Sequence, residues 1–304
     1  MKLFAPAYYN KFLCIADKCK HSCCIGWEID VDGVTLEKYR NLQCAYGETV
    51  KESVNFADEP HFKLTKGDRC PHLNENGLCR IILELGEDML CDICREHPRF
   101  YNRTATCMEV GLGLSCEEAC RIVLSSDDYS DFVCLGEVDG ESDEDVIDTQ
   151  ELRSVIYSAL ANRSVPFRER LKAIETIFGV DIGSVPREEI HSLIGSLEYL
   201  SPDHKSLFSS YTNTESLPNK YEDQLEHAFA YFVFRHCSEA RCDDEYRISL
   251  CLCLFLVNLL ACIICTDTLP PEECARIISE EIEYSEDNTE AIKDMFRTIF
   301  CESY

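Results

Sequence analysis

The run Leu250-Cys-Leu-Cys-Leu-Phe-Leu-Val-Asn-Leu-Leu-Ala-Cys-Ile-Ile-Cys265 decides the fold class. Its 16 residues carry no charge, contain Asn258 and lie between Arg247 and Asp267. A bilayer crossing takes about 20 apolar residues, and a shorter run is more often the buried helix of a folded core. The run therefore predicts a core helix from Tyr246 to Cys265 and no membrane span. Tyr221 to Cys237 is the other long apolar segment and its expected packing partner. Outward from this pair, Glu151 to Asn162, Pro166 to Phe178 and Arg187 to Leu200 carry apolar residues at three–four spacing, as in Leu171, Ile174, Ile177 and Phe178, or Ile190, Leu193, Ile194 and Leu197. Thr268-Leu-Pro-Pro reads as a helix start, with a capping hydroxyl and prolines near the first turn. A last helix is expected from Thr289 to Cys301. No strand–helix alternation accompanies these segments, so the chain reads as mainly α, with a helical bundle over residues 151–304.

At 304 residues the chain has room for two domains or one large one. An apolar share of 45% is ample for a packed core and excludes bulk disorder. With 56 acidic against 29 basic side chains the formal charge is -27, which argues against a nucleic-acid-binding role, since tracking phosphates needs a basic field. The excess is uneven. Residues 127–304 hold 37 acidic and 14 basic groups, whereas residues 1–126 hold 19 and 15. Asp127 to Glu151 contains 11 acidic and no basic residues, together with Gly136, Asp139-Gly140 and the run Glu141-Ser-Asp-Glu-Asp145. Such a stretch predicts a solvated connector. The expected organisation is a cysteine-rich domain at 1–126, an acidic connector at 127–150 and a helical domain at 151–304.

The 21 cysteines are an odd number, so they cannot all pair internally. Met1 to Phe12 lacks the apolar core and cleavage site of a secretory signal. Both points lead to reduced thiols in a cytoplasmic protein, acting as metal ligands or as small buried hydrophobes. Cys251, Cys253, Cys262, Cys265, Cys274 and Cys301 sit among Leu, Ile and Phe and read as core fillers. The loop-rich first half has only modest helical pattern, at Val34 to Asn41 and Arg80 to Leu85. There, Cys14, Cys19, Cys23 and Cys24 fall within one short segment. Cys70, Cys79, Cys91, Cys94 and Cys116 follow among Pro, Gly and His turns. Adjacent cysteines point apart, so Cys23 and Cys24 suit two ligand sets, or a ligand beside a core thiol. Thiolates a few residues apart can close a turn on one metal, and zinc and iron–sulfur both accept them. Cys116 lies in Ser115-Cys-Glu-Glu118, the pattern of a capping box, where helix amides would favour its thiolate. His97 is expected to form a turn, and Arg99 either clamps a carboxylate or pairs with a local acid. Glu109-Val-Gly-Leu-Gly-Leu-Ser115 looks like the strand–glycine turn–helix opening of a nucleotide site. Without the alternating units of a parallel sheet, however, its glycines are expected to serve a tight turn.

Tyr8-Tyr9-x2-Phe12-x-Cys14-x4-Cys19-x3-Cys23-Cys24-x-Gly26-Trp27-Glu28-Ile29 resembles the opening of the flagellin lysine-N-methylase family. So do Cys70-Pro71-x-Leu73, Gly77-Leu78-Cys79, Cys94-x2-His97-Pro98-Arg99 and Leu114-Ser115-Cys116-Glu117. The Cys-Cys core also resembles the wider group of zinc- or iron-chelating cysteine-cluster proteins. The likeness covers about residues 1–126. It implies a cytoplasmic enzyme that uses S-adenosylmethionine to methylate lysine ε-amines of flagellin, and a bound iron–sulfur cluster, [4Fe-4S] before zinc. The ligands it implies are Cys14, Cys19, Cys23, Cys24, Cys70, Cys79, Cys94 and Cys116, which exceeds the four of one cubane, so that either two centres exist or some thiols are structural. Cys91 lies outside the matched positions and is a ninth candidate. Arg99 is the candidate for cofactor binding, and no catalytic residue is assigned. The radical motif C-x3-C-x2-C is absent, because Gly26 stands where its third cysteine would fall. The rival readings are a non-enzymatic metal-binding module with a partner-binding helical domain, and an iron–sulfur redox protein.

Overall fold

A computed structural model describes residues 1–56, 59–140, 143–212 and 219–301, the side chains of residues 219, 300 and 301 apart. In chain order its elements are β1 (Lys2–Pro6), α1 (Gly33–Arg40), α2 (Ala45–Ser53), β2 (Val54–Asn55), β3 (His61–Phe62), α3 (Arg80–Leu85), α4 (Asp92–Glu96), β4 (Arg99–Arg103), β5 (Met108–Leu112), α5 (Glu117–Leu124) and β6 (Phe132–Glu137). Helices follow: α6 (Thr149–Leu160), α7 (Phe167–Phe178), α8 (Arg187–Ser196), α9 (Pro202–Phe208), α10 (Glu222–His236), α11 (Asp243–Ile264), α12 (Pro271–Ile278) and α13 (Glu286–Cys301). The fold is mainly α. Residues 1–12, 100–115 and 119–304 form one compact unit, and residues 13–99 with 116–118 form another.

Among the helices of the larger unit α10 and α11 pack most extensively on each other, as their apolar runs predict. α11 is long and apolar enough to cross a bilayer, with mean hydropathy 2.4, yet 89% of that window is buried within the chain. Phe178 of α7 stacks on Tyr246 with ring centroids 5.6 Å apart. Helix ends follow local chemistry. The Asp148 carboxylate accepts from Glu151 N at 3.2 Å to start α6, and Gly179, at φ +66°, ends α7. The start expected at Thr268 differs: α12 begins after Pro270 with no side-chain cap, and the Thr268 hydroxyl bonds Thr266 Oγ1 at 2.8 Å instead.

A four-stranded sheet, order β4-β5-β1-β6, was not foreseen from the helical pattern. β1 runs parallel to β5 (Leu3 opposite Met108) and antiparallel to β6 (Pro6 opposite Phe132). β6 lies inside the stretch read as an acidic connector. The count of carboxylates there concealed Phe132-Val-Cys-Leu135, whose first residues pair with Ala5 and Pro6. The units accordingly divide near residues 12, 99 and 116–118 and not at 127–150, while Glu141 and Ser142 of the expected connector lie outside the described residues.

Among the described residues the smaller unit has four short helices and the β2–β3 pair, in which Val54 faces Phe62. Asp32 caps α1 by accepting from Thr35 N at 2.9 Å. Its other oxygen accepts from Asp92 N at 2.9 Å, which ties the start of α4 to the start of α1. Ile29, Val31, Leu36, Tyr39, Val50, Val54, Phe62 and Ile81 form the core of this unit, and Cys70 and Cys91 are buried with them.

Candidate functional site

The nine thiols singled out by spacing all fall in the smaller unit. Cys14, Cys19, Cys23 and Cys24 occupy the loops that open it, where regular structure is limited to the single turn Ala16–Lys18. The Cys19 thiol donates to His21 O at 3.2 Å and lies 3.7 Å from Glu117 Oε2. That same carboxylate oxygen accepts from Lys20 N at 2.7 Å and His21 N at 3.3 Å. Glu117 opens α5 directly after Cys116, so one carboxylate holds the Cys19 loop beside Cys116. Trp27 Nε1 donates to Cys23 O at 3.1 Å and fixes the turn that follows.

Cys24 belongs to a different surrounding. Its carbonyl accepts from Cys70 N at 2.8 Å, and Ile25 and Arg69 form a bridge alongside. From Cys70 the chain makes a turn and returns at Cys79, which bridges to Leu73 and precedes the first turn of α3. The turn passes through Gly77 at φ +75°, a conformation that favours glycine. Cys91 precedes α4 and Cys94 lies within it, with Cys94 N donating to Cys91 O at 3.1 Å. Cys24, Cys79 and Cys94 pack against the core in which Cys70 and Cys91 are buried.

Two neighbouring pairs of these thiols, Cys23–Cys24 and Cys91–Cys94, have unequal acidities. Cys23 shares a hydrogen bond with Cys24, which pushes the Cys23 thiol up and brings Cys24 down to about 7 against the desolvation of its site. Between Cys91 and Cys94 the same bond lowers Cys91 and raises Cys94. Burial raises Cys70 to about 12, with the charges of Cys24, Cys79 and Cys91 adding to it. Burial likewise raises Cys19 to about 11, with Glu117 and Cys116 adding to it. Cys24 and Cys91 are thus shifted toward the thiolate, the form in which sulfur ligates a metal. Nevertheless, among the described residues no three Cys, His, Asp or Glu side chains stand together closely enough to hold a metal ion. The expected assembled centre is therefore not found in place among the described residues: Cys23 acts on Cys24 and Cys91 on Cys94, the Cys19 thiol bonds the His21 carbonyl, and backbone amides act on Cys70 and Cys79.

Cys91, outside the matched family positions, is 1% exposed and lies in the same buried group as Cys70. The interval Cys91-x2-Cys94 was its signal. His97 is kept neutral, its imidazole brought down to about 4 by burial and by the Arg99 charge, and its ring meets Trp27 edge-on at 6.4 Å. Arg99 starts β4, and its Nη1 donates to the Arg95 carbonyl at 3.4 Å. The Ser115 hydroxyl does not make the expected capping bond; it is buried without a hydrogen-bond partner among the described residues. Gly111 lies within β5 and not in a turn. A Cβ there would come within 2.3 Å of Phe100 Cζ, so the glycine permits close ring packing.

In the larger unit Cys251, Cys253, Cys262 and Cys274 are buried as core fillers. Cys265 departs from that expectation, being exposed at the end of α11, and the Cys301 side chain lies outside the described residues. Sequence reasoning missed the polar groups buried here. Arg153 binds Glu109 through two hydrogen bonds of 2.8 and 2.6 Å, with side-chain exposures of 7% and 1%. Glu283, fully buried, meets Arg235 at 3.3 Å, His236 at 2.8 Å and the Tyr231 hydroxyl at 3.1 Å. Burial alone would raise the Glu283 carboxyl, but Arg235 and His236 outweigh it and hold it below its ordinary value. No sequence spacing announces these pairs, since the partners meet only through the fold.

No family model and no solved structure matches the chain. It is similar to a flagellar biosynthetic protein, FliU, of Salmonella muenchen, at 29% identity over 160 residues that cover 50% of this chain and 93% of that protein. It is also similar to the lysine-N-methylases of Salmonella typhimurium and Salmonella choleraesuis, each 28% identical over 130 residues, or 40% of this chain. The chain spans about a third of the length of those two methylases, 32% in each case.

Proposed function

We propose that the chain serves lysine methylation connected with the flagellum, as an S-adenosylmethionine-dependent lysine N-methyltransferase acting on flagellin in the cytoplasm. The observation that carries this reading is the joint likeness to two lysine-N-methylases and to a flagellar biosynthetic protein. The net charge of -27 supports it, because an acidic surface attracts a lysine-bearing protein at long range. S-adenosylmethionine supplies an electrophilic methyl group, and the lysine must reach it as the free amine.

An iron–sulfur cluster belongs to the same reading. What supports it is donor chemistry: soft thiols gather in one unit and Cys24 and Cys91 are shifted toward the thiolate, although among the described residues no three possible ligands stand together. The residues that would hold it are among Cys14, Cys19, Cys23, Cys24, Cys70, Cys79, Cys91, Cys94 and Cys116. The test is incubation of anaerobically purified protein with flagellin and S-adenosylmethionine, with lysine methylation read by peptide mass. Methyl increments that depend on the protein are expected, and their absence with metal-loaded protein would overturn the assignment. The second reading, a metal-binding module without methyl transfer, draws on the limited span of the methylases that the chain matches. It predicts bound zinc or iron, binding of flagellin or another partner, and no methylated product.

A further inference from the structure

We infer that the cavity between α10, α11 and α13 of the larger unit binds the zwitterionic head of an α-amino acid, with its carboxylate on Lys293 and Arg297 and its ammonium on Glu239 and Glu245. A free amino acid carries that head, and so does S-adenosylmethionine. Only the second source rests on the reading that the chain transfers a methyl group.

The cavity measures about 290 Å³, near the small end of ligand pockets, which start at roughly 300 Å³. Its walls carry opposite charge. Lys293 and Arg297 stand one turn apart on α13, whereas Glu239 lies in the α10–α11 connection and Glu245 in the first turn of α11. Among the described residues no ion pair joins the two walls. Lys293 pairs with Glu290 at 3.2 Å, and Arg297 with Glu290 and Asp294, all on α13 itself. Such pairs along one exposed helix face are weak, and they leave most donors of the ammonium and the guanidinium unused. On the other wall, Glu239 Oε1 accepts from Arg103 N at 2.6 Å and Glu245 Oε2 from Arg241 N at 2.8 Å. These amides fix the two carboxylates and leave each a second oxygen. Opposite charges that share a cavity without meeting are satisfied together by a ligand that carries both signs.

The remaining lining is held in place. Arg235 and His236 end α10 beside the cavity. His236 Nε2 donates to Glu283 Oε1 at 2.8 Å, and the Arg235 guanidinium lies 4.7 Å from the centre of the Phe100 ring and 5.1 Å from that of Tyr284. Glu283 closes the π-helical turn Ser279–Glu283, a departure from α-helix that is frequent at functional sites. Burial, with the Arg235 and Lys293 charges adding to it, outweighs Glu283 and lowers the His236 pKa, which keeps the imidazole neutral. With Nε2–H given to Glu283, its Nδ1 is an acceptor suited to an ammonium. Ser249, 8% exposed, adds a hydroxyl without a hydrogen-bond partner among the described residues. Ala240 and Ile248 give the first carbons of a ligand side chain an apolar surface.

The test is isothermal titration of the full chain with L-methionine, its decarboxylated amine, its deaminated carboxylic acid, and S-adenosylhomocysteine. The same titrations are made on Lys293→Met/Arg297→Met and on Glu239→Gln/Glu245→Gln, in which glutamine keeps the acceptors for the Arg103 and Arg241 amides. A zwitterion should bind the parent chain, with the amine and the acid each at least about tenfold weaker. The first variant should lose the preference over the amine and the second the preference over the acid, both with unchanged far-UV spectra. Tighter binding of S-adenosylhomocysteine would identify the methyl donor as the source, and binding of L-methionine alone a free amino acid; both outcomes support the inference. Equal binding of the acid or of the amine, no binding at millimolar concentration, or full selectivity retained in both variants would overturn it. Should a variant fail to fold, the discrimination shown by the parent chain decides. Selective binding without methylated flagellin would leave this inference standing and sink the proposed activity; methylated flagellin without selective binding would do the reverse.

Discussion

Removal of either partner of the Glu109–Arg153 pair should destabilise the larger unit far more than removal of both. Arg153 donates to both oxygens of Glu109 and to Ser238 Oγ at 3.1 Å, and its guanidinium lies 4.6 Å from the centre of the Phe132 ring and 5.2 Å from that of Phe234. Gln150 adds a third donor to Glu109 at 2.9 Å. Glu109→Leu therefore strands a guanidinium between two rings with one neutral acceptor left, and Arg153→Met strands a carboxylate with one amide donor. Unpaired buried charge of this kind costs about 3–5 kcal/mol, whereas an apolar pair of similar volume is often neutral or better. The double variant Glu109→Leu/Arg153→Met should thus lose no more than about 1–2 kcal/mol, which makes the coupling energy about 4 kcal/mol or more. For a folded body of this size 1 kcal/mol moves the midpoint by roughly 2–4 °C, so each single variant should melt roughly 6–20 °C lower. Thermal and urea unfolding followed by far-UV circular dichroism measures all four corners of the cycle. Strictly additive losses, with the double variant as unstable as the sum of the singles, would refute the claim that the charges are held by each other and not by solvent.

Gly111→Ala should cost about 1–3 kcal/mol through overpacking, because its Cβ would lie 2.3 Å from Phe100 Cζ and 2.7 Å from Phe234 Cε1. Adding Phe100→Leu should recover part of the loss, and an unchanged melting temperature in the single variant would contradict the close approach. Glu226 is buried, which by itself raises its pKa, but bonds from Arg163, Arg170 and Tyr129 bring it below its ordinary value of 4.5. Its folded pKa is depressed, so the stabilisation it contributes is complete above that value and is lost as pH falls through the folded one. Urea midpoints measured from pH 6 to pH 3 should decline most steeply below about 4.5. Glu226→Gln should be less stable at neutral pH and lose much of that slope; an unaltered slope would count against the role of the cluster.

The helices were legible because amphipathic spacing is written locally: Leu171, Ile174 and Phe178 mark α7, and the unbroken run in α11 marks a helix buried on all sides. The sheet was not. β1, β5 and β6 pair residues more than a hundred positions apart, and no local pattern records such a pairing. Composition misled in the same region, since carboxylates flanking Phe132-Val133 hid a strand. At the candidate site, the crowding of cysteines in the first half pointed to thiols that all fall in one unit. The sequence could not reveal that Cys91 shares a core with Cys70 or that Glu117 secures the Cys19 loop. Those facts depend on segments that meet only after the loops close.

The chain enters its larger unit with β1, leaves for the cysteine-rich unit and comes back at β4. During synthesis the first strand must therefore wait, its edges unmatched, while an entire inserted body emerges and acquires its own structure. The polypeptide is nested, like a clause within a sentence, so anything that delays maturation of the insert also postpones completion of the sheet. On the proposed reading that this insert binds a metal, the supply of that metal would govern yield as well as chemistry, and starving cells of it should leave chains vulnerable to proteolysis on both sides of the insertion.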